Sequence, residues 1–234
     1  MIKILSTKGL NSTAIEYAES LGVKITCIDF IQTEAVDFEQ EQIDWATTDA
    51  VVFTSSNSVK YFFGKGGIVP HGKTIFSLSG KTAAELKEYN VSPTFTAINA
   101  AALAGATIGV KAVKSLVHIC GNLKLETIET QMASAGIKYK SLYVYNTFYA
   151  DAKPLTEYFD GIMFFSPSGV QSFLRGNSIQ PDVIYCCIGQ TTADSLRAQN
   201  KPAQIIVPEI PSPEAMTVEI ARYFQTRQVG TWPS

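Results

Sequence analysis

The sequence predicts an α/β protein built from two similar parallel-sheet domains, and three observations lead to this fold class. Short β-branched runs alternate with amphipathic segments along the chain, which is typical of parallel strands covered by helices. Some runs, such as "GIMFFS", are apolar throughout, as expected of strands buried on both faces. Several short motifs also occur twice, in the same order.

The individual elements follow from composition and periodicity. Strand candidates are rich in Val, Ile, Phe and Tyr, and in chain order they are "IKIL", "VKITCIDF", "AVVFT", "TIFSL", "SLVHIC", "IKYKSLYVYNTFY", "GIMFFS", "VIYCCIG" and "AQIIV". Helix candidates have apolar residues at helical spacing and lie between most of the strands. They are "NSTAIEYAESL", "SNSVKYFFGK", "KTAAELKEY", "NLKLETIETQMASA", "PSGVQSFLRG", "TTADSLRAQ" and "SPEAMTVEIARYFQTRQ".

The repeated motifs match at four places with offsets of roughly 110 residues, which is within ordinary domain size. The matched positions are Phe53 with Phe164, Thr82 with Thr192, Gly22 with Gly136, and Leu103 with Met216. The repeat leaves two arrangements open. Either the chain forms two consecutive domains divided near Val113, or it leaves one domain and later returns to it. In the second case "FIQTEAVDF" and "YNTFYADAKP" are the extended connectors.

Composition and charge exclude several classes of function. A net charge of −2 argues against a nucleic-acid-binding protein, and an acidic ligand has to be bound by local groups. No apolar run approaches the ~20 residues of a membrane span, and the N-terminus lacks a signal-peptide core, so we expect a cytoplasmic protein. His118 and Cys120 share a strand face, but a metal site needs more ligands; we expect an ordinary buried pair and no metal.

Small polar residues follow the predicted strands at "TSSNS", "SGKTA", "CGN", "SPSG" and "GQTTA", each just before a predicted helix. Ligands of parallel sheets bind beyond the carboxyl ends of the strands, and free N–H groups at helix starts attract anions. Any one such loop is more typical of simple helix capping, but their duplication predicts two anion-binding rims. The candidate binding residues are Ser55, Ser56, Asn57, Ser79, Lys81, Thr82, Gly121, Asn122, Ser166, Pro167, Ser168, Gly169, Thr191 and Thr192.

Common catalytic motifs are missing from the sequence. "SPSG" is not a nucleophile elbow, and "SGKTA" has only the end of a phosphate-binding loop. These observations leave a cofactor-free enzyme or a binding protein. Three interpretations remain open: a cofactor-free enzyme, a two-lobed module that binds an anionic small molecule, and a sugar-phosphate isomerase.

The segment "CGNLKLETIETQMASAGIKYKSLYVYNT", Cys120 to Thr147, resembles the uroporphyrinogen-III synthase family. "VVFTSSNSV", "FFSPSGV", "IGQTTADSL" and "SPEAM" are similar to other signatures of that family, in the right order, so the resemblance covers nearly the whole chain. Two positions depart from the family pattern. Ser79 stands where a Gly is expected, and Leu125 stands where an Arg is often found. If that Arg binds a substrate carboxylate, Lys124 or backbone groups have to do so in this chain.

The resemblance implies the exchanged arrangement of two flavodoxin-like, doubly wound domains. Residues 1–31 and 152–234 would form one discontinuous domain and residues 36–146 the other, joined by connectors at 32–35 and 147–151, with the active site in the cleft between the domains. The sequence shows no large apolar seam for a partner chain and no cofactor motif, so we expect a monomer that needs no cofactor.

The activity implied by the resemblance is the cyclisation of hydroxymethylbilane, a linear tetrapyrrole with eight carboxylates. The substrate would lose water, and ring D would then attack through its substituted carbon to form a spiro intermediate. Reclosure of this intermediate would give uroporphyrinogen III with ring D inverted. The enzyme would be a lyase of haem biosynthesis. Spontaneous closure gives isomer I, so catalysis would depend mainly on orientation. The family match selects Tyr145 as the acid that assists departure of the hydroxyl group.

Overall fold

The computed structural model describes residues 1–150, 154–199 and 204–229. Asp151, at the end of the second predicted connector, lies outside the described residues. So do the first residue of the predicted strand "AQIIV" and the C-terminal segment 230–234.

The described chain alternates strands and helices. The strands are β1 Ile2–Ser6, β2 Val23–Cys27, β3 Ile31–Ala35, β4 Ala50–Phe53, β5 Thr74–Leu78, β6 Phe95–Ala97, β7 Ser115–Gly121, β8 Lys138–Tyr149, β9 Gly161–Phe164, β10 Ile184–Cys187 and β11 Gln204–Ile206. The α-helices are α1 Ser12–Ser20, α2 Ser56–Gly64, α3 Lys81–Glu88, α4 Ala100–Gly109, α5 Thr127–Ser134, α6 Pro167–Leu174, α7 Gln190–Arg197 and α8 Pro213–Val229. Among the described helices, no segment combines the length and hydropathy that spanning a membrane requires.

The chain divides into two compact units. Met1–Gln32 and Phe148–Ser234 form unit 1, and Thr33–Thr147 forms unit 2. The sheet of unit 1 has the strand order β11-β10-β9-β1-β2, and its strand pairs are parallel. Buried side chains cover both of its faces. Gly161 on β9 is needed for this packing, because a Cβ atom there would lie 2.8 Å from Ile4 Cδ1 and 2.9 Å from Ile220 Cδ1.

Unit 2 repeats the topology of unit 1. Its sheet has the order β3-β8-β7-β4-β5-β6, so the strands β6-β5-β4-β7-β8 correspond to β11-β10-β9-β1-β2. The matched glycines Gly22 and Gly136 both have a positive φ, of 74° and 69°, at the turns that follow α1 and α5. The alternative of two consecutive domains divided near Val113 is excluded. β4 precedes Val113 and β7 follows it, but the two strands pair with each other in one sheet. The fold-class prediction of two similar parallel-sheet α/β domains, one of them discontinuous, is confirmed.

The boundary between the units falls within β3 and β8, which are neighbours at one edge of the second sheet. The Val36 N–H donates to the Val144 carbonyl at 3.0 Å, and the Ala150 N–H donates to the Phe30 carbonyl at 2.9 Å. The residue numbers rise on one strand as they fall on the other, so this pair is antiparallel. The sequence predicted β8 as a strand, whereas it predicted the segment of β3 only as part of an extended connector.

Three of the other elements named above also differ from the sequence prediction. α4 and β6 were not predicted, and α5 begins at Thr127 instead of Asn122. The segment of α4, "AAALAGATIG", is apolar with little amphipathic contrast, so helical periodicity does not reveal it. Its start is nevertheless capped by Asn99, whose Oδ1 accepts a hydrogen bond from the Ala102 N–H at 2.9 Å.

Candidate functional site

The strand order places a topological switch point in each unit. In unit 2 the chain runs outward from β4 through β5 to β6 and then returns to the other side of β4 as β7. In unit 1 the equivalent switch lies between β9 and β1. Open parallel sheets bind ligands beyond the strand ends at such a point. The loops after β4 and β7, and after β9 and β1, are therefore the candidate site segments.

Tyr145 is held firmly beside the switch point of unit 2. Its hydroxyl lies 3.0 Å from Ser55 Oγ, and its ring stacks on Tyr61 with 5.5 Å between the centroids. The ring also covers Gly121, where a Cβ atom would lie 2.4 Å from a carbon of the tyrosine ring. The β7–β8 register shifts between Cys120 and Gly121, so a bulge lies directly beside Tyr145. These contacts fix the position of the phenol.

The protonation state of Tyr145 suits a hydrogen-bond donor. Burial raises the pKa of Tyr145 above its ordinary value of 10.0, and the hydrogen bond with Ser55 opposes this only partly. The phenol is therefore protonated at neutral pH. Because Ser55 Oγ accepts a hydrogen bond from the Ser58 N–H at 3.0 Å, the Ser55 hydroxyl proton is available for the oxygen of Tyr145. When Ser55 donates to Tyr145, the phenol proton is free for a ligand.

The start of α2 supplies main-chain donors beside this tyrosine. Ser55 caps the helix through the Ser58 N–H, as the sequence predicts for a strand-end serine. The N–H groups of Ser56 and Asn57 have no acceptor among the residues that the structure describes. Both residues are partly exposed, so these N–H groups and the helix dipole offer a place for an anion.

The equivalent loop of unit 1 has the same construction. Ser166 caps α6, and its Oγ accepts a hydrogen bond from the Gly169 N–H at 3.1 Å and lies 3.0 Å from Ser168 Oγ. The N–H of Gly169 is thus occupied, and Pro167 has none. Within the described chain, the N–H of Ser168 remains without an acceptor.

The strand ends before α3 and α7 are less accessible. Thr82 and Thr192 are buried, so their hydroxyl groups present little surface to a ligand, whereas Lys81 and Thr191 are exposed. Ser79 is exposed and its N–H donates to the Ala97 carbonyl at 2.8 Å. The cap of α3 is the following residue, Gly80, whose φ of 72° favours glycine.

The prediction that "CGN" lies at a helix start is wrong, because Asn122 precedes α5 by five residues. Asn122 instead binds the end of β8: its Oδ1 accepts from the Thr147 N–H at 2.7 Å, and its own N–H donates to the Tyr145 carbonyl at 3.3 Å. Gly121 is covered by the Tyr145 ring. Gly121 and Asn122 therefore position Tyr145 and offer no helix-terminal N–H groups.

Lys124 is already engaged within unit 2. Its ammonium binds the Glu129 carboxylate and lies 5.5 Å from the centroid of the Tyr139 ring. Burial acts to lower the pKa of Lys124, but the bond to Glu129 and the nearby Tyr139 outweigh it, so the pKa is raised. Lys124 can therefore contact a substrate carboxylate only by sharing its ammonium with Glu129.

Sequence reasoning missed the loop after β1, "TKG", at residues 7–9. Since β1 corresponds to β7, the match between Gly22 and Gly136 was the signal that could have identified it. Thr7 is buried, and its hydroxyl donates to the Met163 carbonyl of β9 at 2.7 Å. Lys8 is exposed at the switch point of unit 1, and its ammonium has no carboxylate partner within the described residues.

Three comparisons with known proteins were made. The family model HEM4, uroporphyrinogen-III synthase HemD, matches residues 12–218. A mutant uroporphyrinogen III synthase from the extremely thermophilic bacterium Thermus thermophilus has a TM-score of 0.74 at 17% identity, with 97% of this chain and 100% of that chain covered. The uroporphyrinogen-III synthetase from Helicobacter pylori has a TM-score of 0.66 at 20% identity, with 96% and 100% covered. A search of curated proteins finds no significant match.

The two structural likenesses establish the fold, and the family model spans most of the sequence, including the loops after β4, β7 and β9. The chain therefore belongs to the uroporphyrinogen-III synthase family.

Proposed function

We propose that this chain converts hydroxymethylbilane to uroporphyrinogen III without a cofactor, as a cyclising lyase. The observation that carries the proposal is the phenol of Tyr145, protonated and fixed beside main-chain N–H groups at the switch point of unit 2. The arrangement combines a proton donor with binding groups for carboxylates, which are the two requirements of this reaction.

The reaction begins with loss of the substrate's hydroxyl group. Tyr145 transfers its proton to that oxygen, which leaves as water when the C–O bond breaks, and the tyrosinate is reprotonated by the proton that the substrate loses at the end of the reaction. The electron pair for this step comes from the pyrrole ring that bears the hydroxymethyl group, which becomes an electrophilic azafulvene. A phenol of raised pKa stays protonated through the neutral range, so the donor is present whenever substrate binds.

Ring D then attacks the azafulvene carbon through its substituted position. The resulting spiro intermediate fragments and recloses through the neighbouring position, and loss of a proton gives the inverted ring. Because the free substrate closes to isomer I, the protein has to hold the chain so that the substituted carbon is the one in reach. This is catalysis by orientation.

Main-chain N–H groups provide much of that orientation. We propose that the N–H groups of Ser56, Asn57 and Ser168 bind carboxylates, together with the ammonium group of Lys8. Exposed Ser79, Lys81 and Thr191 are further candidates near the other strand ends. Each such hydrogen bond to a charged group contributes only about 1.5–3 kcal/mol to the binding free energy. No single loop residue should therefore be indispensable.

The finer sequence predictions belong to the same proposal. We propose that the functional domains are residues 1–31 with 152–234 and residues 36–146. We also propose that the protein acts as a cytoplasmic monomer. Size-exclusion chromatography with light scattering would test the monomer, and a dimer at micromolar concentration would contradict it.

Supplying the purified chain with hydroxymethylbilane tests the function. After oxidation, the porphyrin isomers are separated by chromatography, and the spontaneous reaction is measured in parallel. We expect isomer III to dominate in the presence of the protein. Isomer I alone, at the rate of the protein-free control, would overturn the proposal. Tyr145→Phe should slow formation of isomer III, and unchanged turnover would remove the acid role.

A further inference from the structure

A chain of hydrogen-bonded polar side chains, with the buried His118 at its centre, links neighbouring strands of unit 2 near its switch point. His118 on β7 is 1% exposed, and its Nε2 lies 2.9 Å from Thr54 Oγ1 at the end of β4. On its other side, His118 Nδ1 lies 2.8 Å from the Tyr139 hydroxyl of β8, which accepts a hydrogen bond from Ser141 Oγ at 3.1 Å. Three neighbouring strands are thus linked through one imidazole.

The direction of these hydrogen bonds follows from proton counting. The Tyr139 oxygen already accepts the proton of Ser141, and within the described chain its own proton has only His118 Nδ1 as an acceptor. Nδ1 must then be unprotonated, and in a neutral ring the proton lies on Nε2. Nε2–H donates to Thr54 Oγ1. The tautomer is assigned from this network.

The surroundings of His118 keep the ring neutral. Burial, followed by the positive charge of Lys124, lowers the pKa of His118 from 6.5 to about 4. The other ionisable groups near the network are Tyr139 and Cys120, which are uncharged at neutral pH, and Glu129, which is paired with Lys124. No carboxylate contacts the ring directly among the described residues.

The consequence appears at Thr54, which is partly exposed and immediately precedes Ser55. Its oxygen accepts from His118, so its own proton is directed elsewhere, and no described residue accepts it. We propose that His118 is a positioning residue that orients Thr54 as a hydrogen-bond donor to a carboxylate of the bilane substrate. This inference rests on the proposed function and adds a specific side-chain donor to the main-chain groups of the site.

Two pairs of variants test the inference by kinetics. Thr54→Val removes the hydroxyl and keeps the shape, whereas Thr54→Ser keeps the donor. Losing a hydrogen bond to a charged group should raise KM by about 10- to 100-fold in Thr54→Val, while Thr54→Ser stays within a few-fold of the parent. Equal KM values in the two variants would overturn the inference.

The histidine is tested by His118→Gln and His118→Leu. A glutamine carboxamide presents an acceptor and a donor much as the two ring nitrogens do, so it should restore the orientation of Thr54. His118→Leu should raise KM as Thr54→Val does, and adding it to Thr54→Val should raise KM no further. If His118 were only structural, His118→Leu would lower stability both in the parent and in Thr54→Val. The effects of the two substitutions on KM would then simply add.

A spectroscopic measurement keeps the inference testable even if the His118 variants fail to fold. The full-length protein, labelled with ¹⁵N in its histidine rings, is studied by NMR between about pH 5.5 and 8. The signals of His71 are assigned with His71→Gln, because the sequence has only these two histidines. We expect His118 to show a single neutral tautomer with the proton on Nε2. A proton on Nδ1, or a charged ring at pH 7, would overturn the inference.

These outcomes are distinct from failure of the proposed function. If the parent protein forms no isomer III, the function itself is wrong, whatever the tautomer of His118. If the parent forms isomer III but Thr54→Val and Thr54→Ser behave alike, only the role of Thr54 and His118 is refuted.

Discussion

Replacing Gly121 by alanine should displace the phenol of Tyr145, the proposed acid, without removing any functional group. The added Cβ would lie 2.4 and 2.5 Å from two carbons of the Tyr145 ring, whereas ordinary contact begins near 3.4 Å. The ring therefore has to move by about 1 Å, against its stacking on Tyr61 and its hydrogen bond to Ser55. Overpacking of this kind costs about 1–3 kcal/mol of stability, and a misplacement of about 1 Å in an active site can lower the rate about 100-fold.

The assay combines urea unfolding with the rate of isomer III formation. Gly105→Ala is the matched control in the same unit, since a Cβ atom there meets nothing within 4 Å and Gly105 lies inside α4. This control should keep its activity and gain up to about 1 kcal/mol. In a Tyr145→Ala background, Gly121→Ala should cost little stability, because the obstructing ring is gone. A Gly121→Ala protein with parental kcat would refute the reasoning that the position of this ring controls catalysis.

Four further predictions concern the same unit and the cysteines. Ser55→Ala removes both the cap of α2 and the partner of Tyr145, so it should cost about 0.5–2 kcal/mol and lower kcat. Asn99→Ala, which removes only the cap of α4, should lower stability in urea but leave kcat unchanged. A loss of kcat as large as that of Ser55→Ala would contradict this. Because the pKa of His118 is lowered to about 4, the unfolded state binds more protons between about pH 4 and 6.5. Stability should fall by up to about 3 kcal/mol as the pH is lowered across that window, and His118→Gln should flatten the fall; parallel curves would show that His118 is not responsible. A thiol reagent should label only Cys27 in the native protein, since the other three cysteines are buried, and labelling of more than one thiol before unfolding would contradict the structure.

The paired motifs were the most informative part of the sequence. They predicted the class of fold and the presence of small polar residues at equivalent strand ends, because capping serines such as Ser55 and Ser166 have a local signature. The residues alone could not decide between consecutive and exchanged units. That choice depends on which strand pairs with which, and pairing between distant segments leaves no local signal.

Other features depended on tertiary contacts. The direction of Tyr145 is set by a bulge in β8 and by the close approach of Gly121, neither of which has a recognisable sequence pattern. Lys124 was a candidate for contacting a substrate carboxylate, but its pairing with Glu129 depends on where α5 begins. His118 was expected to be an ordinary buried residue. Only the structure shows that its two nitrogens link Tyr139 to Thr54.

In the proposed function, main-chain N–H groups at the strand ends bind the carboxylates of a tetrapyrrole. The most direct test follows the amide NMR signals of the full-length protein as uroporphyrinogen III, the expected product, is added without oxygen. We predict saturable shifts for the amides of Ser56, Asn57 and Ser168, whose N–H groups have no acceptor in the described chain. Saturable shifts confined to other parts of the chain, with these three amides unmoved, would contradict the account.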